Sequence, residues 1–243
     1  MTIGLIGYGR FGRFAAKHLS TRARVVVYDP RVKGRASRGG RIVHATLGEA
    51  AGQPVVILAV PVSALRNVLH AVRRHVRPGA LIIDVCAVKT LPARWMVEML
   101  PTRVRILGTH PLFGPDSASR SLKGKTVVLC PVRLPRAQLR EIRKILDRKD
   151  VHSLVMSVGD HDRMAAETIL LTQYVGRMLL KAGLRRWAPL TANYAGLIRI
   201  ADVARQDTPQ LFTDMVKFSP HGQRVSRTLS KAARSVSGAI RRS

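Results

Sequence analysis

A glycine-rich turn near the start of the sequence limits the possible folds more than any other feature. It follows the apolar run Ile3–Ile6, opens a helical pattern, and reads Gly7-Tyr8-Gly9-Arg10-Phe11-Gly12. In such a turn the first glycine permits the tight bend, the second lets phosphates approach the backbone, and the third lets helix and strand pack closely. The N–H groups at the helix N-terminus favour anions. The sequence therefore predicts a dinucleotide-binding βαβ unit; without the flanking strand and helix, the glycines would indicate only a tight turn.

The residues after the second predicted strand bear on the choice of dinucleotide. Asp29 follows Arg24–Tyr28, about 20 residues beyond the turn, where a carboxylate accepts hydrogen bonds from the adenosine ribose. This favours NAD, because a 2′-phosphate beside Asp29 would be repelled. Arg31 and Arg35 are able to pair with such a phosphate, so NADP stays open. We assign Tyr8, Arg10, Phe11 and Arg31 to the cofactor site with the three glycines and Asp29.

Short apolar runs alternate with helical patterns over the first 150 residues. Most runs are rich in Val and Ile and continuous, as in strands buried on both faces. The predicted strands are Ile3–Ile6, Arg24–Tyr28, Ile42–Ala45, Val55–Val60, Leu81–Val85, Val104–Leu107 and Thr126–Leu129. The predicted helices are Phe11–Leu19, Ser63–Val76 with Ser63 as N-cap, Pro92–Leu100 and Arg136–Lys149. This alternation predicts an α/β fold with a Rossmann-type, doubly wound, mostly parallel sheet.

The pattern becomes helical from His161 onward. Helices are predicted over His161–Ala182, Pro189–Arg205, Pro209–Phe218 and Arg224–Ile240. We expect a dinucleotide-binding domain over residues 1–158 and a small, all-helical domain with a basic tail over 159–243. Val60 and Pro61, at the end of the fourth predicted strand, are expected to wall the nicotinamide side of the cofactor site.

The net charge is unusual: 42 Lys and Arg stand against 14 Asp and Glu, giving +28. A positive field attracts anionic ligands and, without specificity, nucleic acid. Against a nucleic-acid function, aromatic residues are only 5%, and neither a base-stacking motif nor paired Cys/His fingers occur. No segment resembles a membrane span, an export signal or a metal motif. With only Cys86 and Cys130, we expect reduced thiols and a cytoplasmic protein.

A second motif carries a resemblance to a known family. Residues 108–116 read Gly-Thr-His-Pro-Leu-Phe-Gly-Pro-Asp, and this segment resembles the signature of arogenate and prephenate dehydrogenases. Asp84–Lys89, Asp160–Ala166 and Gly176-Arg177 resemble further family segments in the same order. Residues 193–212 resemble the later helices of the plant-like branch. The resemblance extends over nearly the whole chain.

The resemblance implies an NAD(P)-dependent oxidative decarboxylation of a cyclohexadienol in tyrosine biosynthesis. By resemblance His110 is the catalytic base, since a neutral imidazole accepts the ring hydroxyl's hydrogen bond as hydride leaves; otherwise it only caps a turn. The substrate is a small dianion, so Lys89 and Arg199 are candidate cations, with Thr109 and Gln173 beside them. Asp207 matches an acidic position suited to the ammonium of arogenate. His161 and Asp162 are interpreted as structural, and a homodimer through the helical domain is implied.

Two positions depart from the family pattern. Ala87 stands where the family has a serine that helps to position the catalytic histidine and the nicotinamide. Cys86 is a poor substitute, because neighbouring side chains on an extended chain point apart. Gln173 replaces the family's second histidine and does not titrate. These changes leave open a diverged dehydrogenase acting on a related cyclohexadienol, or a non-catalytic NAD-binding protein.

Overall fold

The computed structural model describes residues 1–32, 40–188 and 191–240. Within these ranges one eight-stranded sheet has the order β3-β2-β1-β4-β5-β6-β7-β8. Neighbouring strands are parallel except β6 and β7, which are antiparallel. The strands are β1 Thr2–Ile6, β2 Arg24–Tyr28, β3 Ile42–His44, β4 Val55–Leu58, β5 Leu81–Asp84, β6 Arg105–Pro111, β7 Thr126–Arg133 and β8 His152–Val155. The predicted doubly wound α/β fold is confirmed.

Eleven α-helices and one π-helical turn occur within the described ranges. Those from the N-terminus to β8 are α1 Arg10–Leu19, α2 Leu47–Ala51, α3 Val62–Val72, α4 Thr90–Met99, α5 Pro115–Ala118 and α6 Arg136–Asp147. They are followed by α7 Val158–Ala165, the π-helical turn Ala166–Leu170, α8 Leu171–Lys181, α9 Ala192–Gln206, α10 Pro209–Phe218 and α11 Gly222–Ile240. None of these described helices combines the length and apolar character needed to cross a bilayer.

The chain forms two compact units, Met1–His161 and Asp162–Ser243. The predicted domain boundary, between residues 158 and 159, lies three residues before the boundary between these units. The first unit holds the sheet, and its central strands are buried on both faces because almost every residue in them is apolar. Leu5, Val25 and Val27 are fully buried beneath α1, where they pack around Ala16.

Small residues and helix caps organise the second unit. Gly176 of α8 lies so close to α9 that an added Cβ would be 2.6 Å from both the Cβ of Ala204 and the carbonyl oxygen of Ile200. The hydroxyl of Thr191 accepts a hydrogen bond at the start of α9, and that of Thr208 does so at the start of α10. Pro209 then occupies the first turn of α10, where its missing N–H costs nothing.

Several predicted boundaries were wrong. Helix α3 starts at Val62, so Ser63 is inside it and Pro61 takes the N-cap position; the helix ends four residues earlier than predicted. Strand β6 extends to Pro111, because pairing with β7 continues past the apolar run. Helices α2 and α5 and strand β8 were missed, since the helices are very short and β8 lies at an exposed sheet edge. Arg35 and Pro189 lie outside the described residues.

The sheet leaves no room for a side chain at Gly4 of β1. A Cβ there would lie 1.9 Å from the carbonyl oxygen of Ala50, and backbone cannot move aside cheaply. We therefore expect Gly4→Ala to lower the free energy of unfolding by at least about 3 kcal/mol, measured by chemical denaturation. Gly159→Ala is the control, because its Cβ would meet only ordinary contact and alanine favours a helix. Equal stability of the two variants would contradict this packing.

Candidate active site

The glycine turn has the geometry that its sequence predicts. Gly7 has φ of 98°, and a Cβ there would lie 2.3 Å from the carbonyl oxygen of Ala59. A Cβ on Gly12 would lie 2.1 Å from the carbonyl oxygen of Gly7. Side chains at these two positions are thus excluded by backbone just after strand β4 and in the turn itself, which allows α1 to start close to the end of β1.

The middle glycine leaves open space on the face of the turn. Around Gly9, the N-cap residue of α1, the nearest atom to an added Cβ would be a guanidinium nitrogen of Arg31 at 3.8 Å. Among the residues that the structure describes, no side chain caps this helix end. The turn also lies where β1 contacts both β2 and β4, the place at which the strand order reverses. The residues present therefore fit the pyrophosphate of a dinucleotide, with the N-terminus of α1 facing it.

Asp29 is held by a dense set of hydrogen bonds. The backbone N–H of Tyr8 donates to it at 2.7 Å, and Arg31 donates from its backbone N–H at 2.9 Å and from its side chain at 3.1 and 3.0 Å. The side-chain hydrogen bonds from Arg31, the largest cause, hold the pKa of the Asp29 carboxyl well below its usual value. The side chain of Asp29 is 3% exposed and that of Arg31 77%, so the arginine is free to turn towards a ligand while the carboxylate stays in place.

Arg10 and Phe11 connect the turn to the second motif rather than covering the open face. One guanidinium nitrogen of Arg10 donates to both carboxylate oxygens of Asp116, at 2.9 and 2.7 Å. The Phe11 ring packs on Phe14, which in turn contacts Phe113 at a centroid distance of 6.2 Å. Their assignment to direct cofactor contact stays a prediction, and the described geometry gives them a role in fixing residues 113–116 against α1.

Val60 and Pro61 lie at the carboxyl end of β4, beside the turn. The Cγ1 of Val60 would be 2.9 Å from a Cβ on Gly7, and its carbonyl oxygen faces the Cys86 thiol at 3.7 Å. Pro61 is exposed and takes the N-cap position of α3. Both residues therefore lie at the cofactor edge of the sheet, as predicted, and their contact with a nicotinamide ring stays a prediction.

His110 lies on β6 and at the same sheet edge as the glycine turn. Pairing places Ile6, Leu58, Asp84 and Gly108 side by side across four parallel strands. His110 is two residues beyond Gly108 on β6, and Gly7 is one residue beyond Ile6 on β1. The Nδ1 of His110 lies 2.9 Å from the Nε2 of His161, and the two side chains are almost completely buried. His161 was interpreted as merely structural; the sequence gives no direct sign of this contact.

Lys89 and Thr109 form a buried group with Asp84. The Lys89 ammonium is fully buried, forms an ion pair with Asp84, and donates to the carbonyl oxygen of Thr109 at 2.7 Å. The hydroxyl of Thr109 donates to the carbonyl oxygen of Asp84 at 2.7 Å. The direct role of Lys89 towards the substrate stays a prediction, and what the structure adds is that the buried ammonium is paired with Asp84. The group supports the strand that carries His110.

The Ala87 position is not compensated by its neighbour. Ala87 is buried, and the Cys86 thiol points to the Val60 carbonyl while the Cys86 N–H donates to Asp84 at 3.0 Å. This agrees with the expectation that Cys86 is a poor substitute for the missing hydroxyl. Both cysteines are buried thiols, and no group of three or more possible ligands that would hold a metal occurs among the described residues.

The second unit brings together two of its predicted site residues. The Gln173 amide donates to the Asp207 carboxylate, and Arg177 donates to the carbonyl oxygens of Asp207 and Thr208, each at 3.2 Å. The Arg177 guanidinium also lies 4.8 Å from the centre of the Phe212 ring. Arg199 is exposed on α9 and does not belong to this group of residues. The pairing of Gln173 with Asp207 was not anticipated, although both were selected.

The family described as "Prephenate dehydrogenase, nucleotide-binding domain" matches residues 20–155, more than half of the chain. The chain belongs to the prephenate dehydrogenase family. The match starts after the glycine turn and includes the segment around His110 as well as the buried Lys89 and Asp84. The predicted family is thereby confirmed.

Relatives extend the similarity beyond the matched domain. "Arogenate dehydrogenase 2, chloroplastic" of Arabidopsis thaliana is 28% identical, over 97% of this chain and 69% of that protein. "Probable arogenate/prephenate dehydrogenase" of Methanocaldococcus jannaschii is 26% identical, over 99% of this chain and 57% of that protein. This family member thus spans between about half and about two thirds of the length of these relatives.

Solved structures show the same fold. A prephenate dehydrogenase from A. aeolicus, determined with hydroxyphenyl propionate and NAD+, superposes with a TM-score of 0.76 at 19% identity, covering 100% of this chain and 91% of that one. The arogenate dehydrogenase of Synechocystis gives 0.69 at 20% identity, covering 99% and 91%. The fold of the family is therefore present over the chain, and the individual site residues stay predictions.

The buried Lys89–Asp84 pair makes a direct prediction. Lys89→Met leaves the Asp84 carboxylate buried and unpaired, and its Oδ2 already has no hydrogen-bond partner. We expect the free energy of unfolding to fall by about 3–5 kcal/mol, measured by chemical denaturation, and the double variant Asp84→Asn/Lys89→Met to recover most of it. Lys123→Met is the control, because its ion pair with Asp150 is exposed and contributes little. An equally small effect at Lys89 would show that the pair does not stabilise the fold.

Proposed function

We propose that the chain catalyses the NAD-dependent oxidative decarboxylation of prephenate or arogenate, as in tyrosine biosynthesis. The observation that carries the proposal is the common sheet edge: His110 and the glycine turn follow strand residues that lie side by side in the parallel register. In open α/β sheets this edge is where cofactor and substrate meet. The names of the relatives support the same substrates.

Each part of this edge has a chemical task. His110 accepts the proton of the substrate hydroxyl, which a neutral imidazole does well near pH 7. The nicotinamide, when bound, accepts the hydride from the carbinol carbon. Loss of the ring carboxylate as CO2 then makes the ring aromatic as a phenolate, which takes back the proton that His110 holds, so no further acid or base is needed. The Lys89–Asp84 pair and Thr109 hold β6 and thereby fix His110 in the orientation that proton transfer requires.

We propose arogenate as the better substrate. The Asp207 carboxylate is half-buried and oriented by Gln173, which makes it a suitable partner for an ammonium group. Prephenate has no ammonium group to place against this carboxylate. For the two substrate carboxylates, Arg199 is the proposed cation because its guanidinium is exposed, and the net charge of +28 draws an anionic substrate towards the protein.

The proposal also includes the cofactor preference, the assembly and the compartment. Asp29 follows β2, where it accepts a hydrogen bond from the ribose of NAD, whereas the negative charge of Asp29 would repel a 2′-phosphate.

Exposed Met178, Trp187 and Leu197 in the helical unit support a homodimer through that unit. Cys86 and Cys130 are buried thiols, which supports a reducing compartment, the cytoplasm. Neither a membrane nor a nucleic acid has a part in the reaction.

A two-by-two assay of prephenate and arogenate against NAD and NADP tests the activity. We expect reduced nicotinamide to form fastest with arogenate and NAD. His110→Asn should lower kcat by about 1,000-fold, because the base is lost, while NAD affinity measured by calorimetry stays unchanged. Folded wild-type protein that turns over neither substrate with either cofactor would refute the proposed function. Retained NAD binding in that case would identify a non-catalytic NAD-binding protein.

The Asp29–Arg31 pair predicts how the cofactor preference changes. We expect Arg31→Ala to lower kcat/KM with NADP at least about tenfold, because a partner for the 2′-phosphate is lost, and to change the NAD value less than threefold. Asp29→Asn should shift the preference towards NADP, since the repelling charge is gone. Arg22→Ala, an exposed arginine away from the pair, is the control. An equal loss with both cofactors in Arg31→Ala would contradict this assignment.

A further inference from the structure

The imidazoles of His110 and His161 are in direct contact, and the proposed reaction as described assigns no role to His161. The Nδ1 of His110 and the Nε2 of His161 are 2.9 Å apart, their ring centroids are 5.1 Å apart, and the ring planes meet at 61°. His161 is 0% exposed and His110 is 9% exposed. At this distance one hydrogen lies between the nitrogens, because two hydrogens would clash and two lone pairs would repel.

Both rings are anchored to the same strand pair. Ser157 precedes α7: its hydroxyl accepts from the backbone N–H of Asp160 at 3.1 Å and donates to the Asp160 carboxylate at 2.7 Å. The carbonyl oxygen of Ser157 accepts from the backbone N–H of His161 at 3.0 Å and faces the Cys130 thiol of β7 at 3.8 Å. Cys130 is paired with Gly108, two residues before His110. The distance between the rings is therefore set by backbone on both sides.

The position of the shared hydrogen decides what His110 is able to do. A neutral imidazole carries one N–H. If His161 donates, the hydrogen of neutral His110 is on Nε2, and that nitrogen does not accept a proton. If His110 donates from Nδ1, its Nε2 carries the lone pair and serves as the base.

We propose that His161 is a positioning residue: its Nε2 accepts the Nδ1–H of His110 and thereby selects the tautomer whose Nε2 takes the proton of the substrate hydroxyl. This inference rests on the proposed function. As the O–H bond of the substrate breaks and the N–H bond on Nε2 forms, His110 becomes a cation and its hydrogen bond to His161 becomes charge-assisted and stronger. Because this gain is largest in the transition state, His161 acts on kcat more than on KM.

Three variants test this role. His161→Phe keeps a ring of similar size but removes the acceptor, whereas His161→Gln keeps an acceptor oxygen at a comparable reach. His152→Phe is the control, because His152 is exposed on β8. We expect kcat to fall by about 100-fold in His161→Phe, with KM for the substrate and the dissociation constant for NAD changed less than threefold. His161→Gln should recover kcat to within about tenfold of the wild type, and His152→Phe should match the wild type.

A spectroscopic measurement supplies the readout that does not depend on turnover. Nitrogen-15 NMR of the histidine rings should show neutral His110 protonated on Nδ1 in the wild type and in His161→Gln, and on Nε2 in His161→Phe. Protonation on Nε2 in the wild type would overturn the inference, as would a His161→Phe variant with wild-type kcat or a folded His161→Gln variant no more active than His161→Phe. If the wild type shows the Nδ1–H tautomer but oxidises neither substrate, the proposed function fails while the tautomer assignment stands.

Discussion

The ion pair between Lys89 and Asp84 is the constraint on which the rest of the first unit depends. A lysine with no exposed surface is rare unless it is paired, because desolvating an ammonium is expensive. Here the ammonium joins the end of β5 to Thr109 on β6, and the Thr109 hydroxyl returns a hydrogen bond to β5. Two strands are thereby locked at the level where the chain reaches His110, which makes the imidazole part of a rigid sheet edge.

The features that sequence predicted well are those with a local physical cause. The glycine turn was recognised because crowding at Gly7 and Gly12 and the open space at Gly9 are properties of a few consecutive residues. Buried parallel strands were recognised because both of their faces are apolar. The prediction of Ser63 as the N-cap of α3 was wrong, because Pro61 takes that position and the preference of serine for N-caps is only statistical. The edge strand β8 has little buried surface and therefore little apolar signal.

The side-chain environments of the candidate site were harder to predict, because they depend on residues far apart in sequence. The buried environment of Lys89 was not predicted, because its partner Thr109 is 20 residues away and comes close only through strand pairing. His161 lies 51 residues from His110, and the presence of a histidine in the sequence does not predict which ring it contacts. The family resemblance selected both Gln173 and Asp207, but their hydrogen bond became visible only when α8 and α9 were placed side by side.

The reversal of direction between β6 and β7 has a consequence for how such a site diversifies. A parallel successor to β6 would need a crossover to the far edge of the sheet before returning. The antiparallel β7 instead starts at the sheet edge where β6 ends, so the connection over residues 112–125 begins and ends at the edge that carries His110. Insertions or exchanges in this connection can therefore reshape this edge for a different ligand while every strand keeps its register.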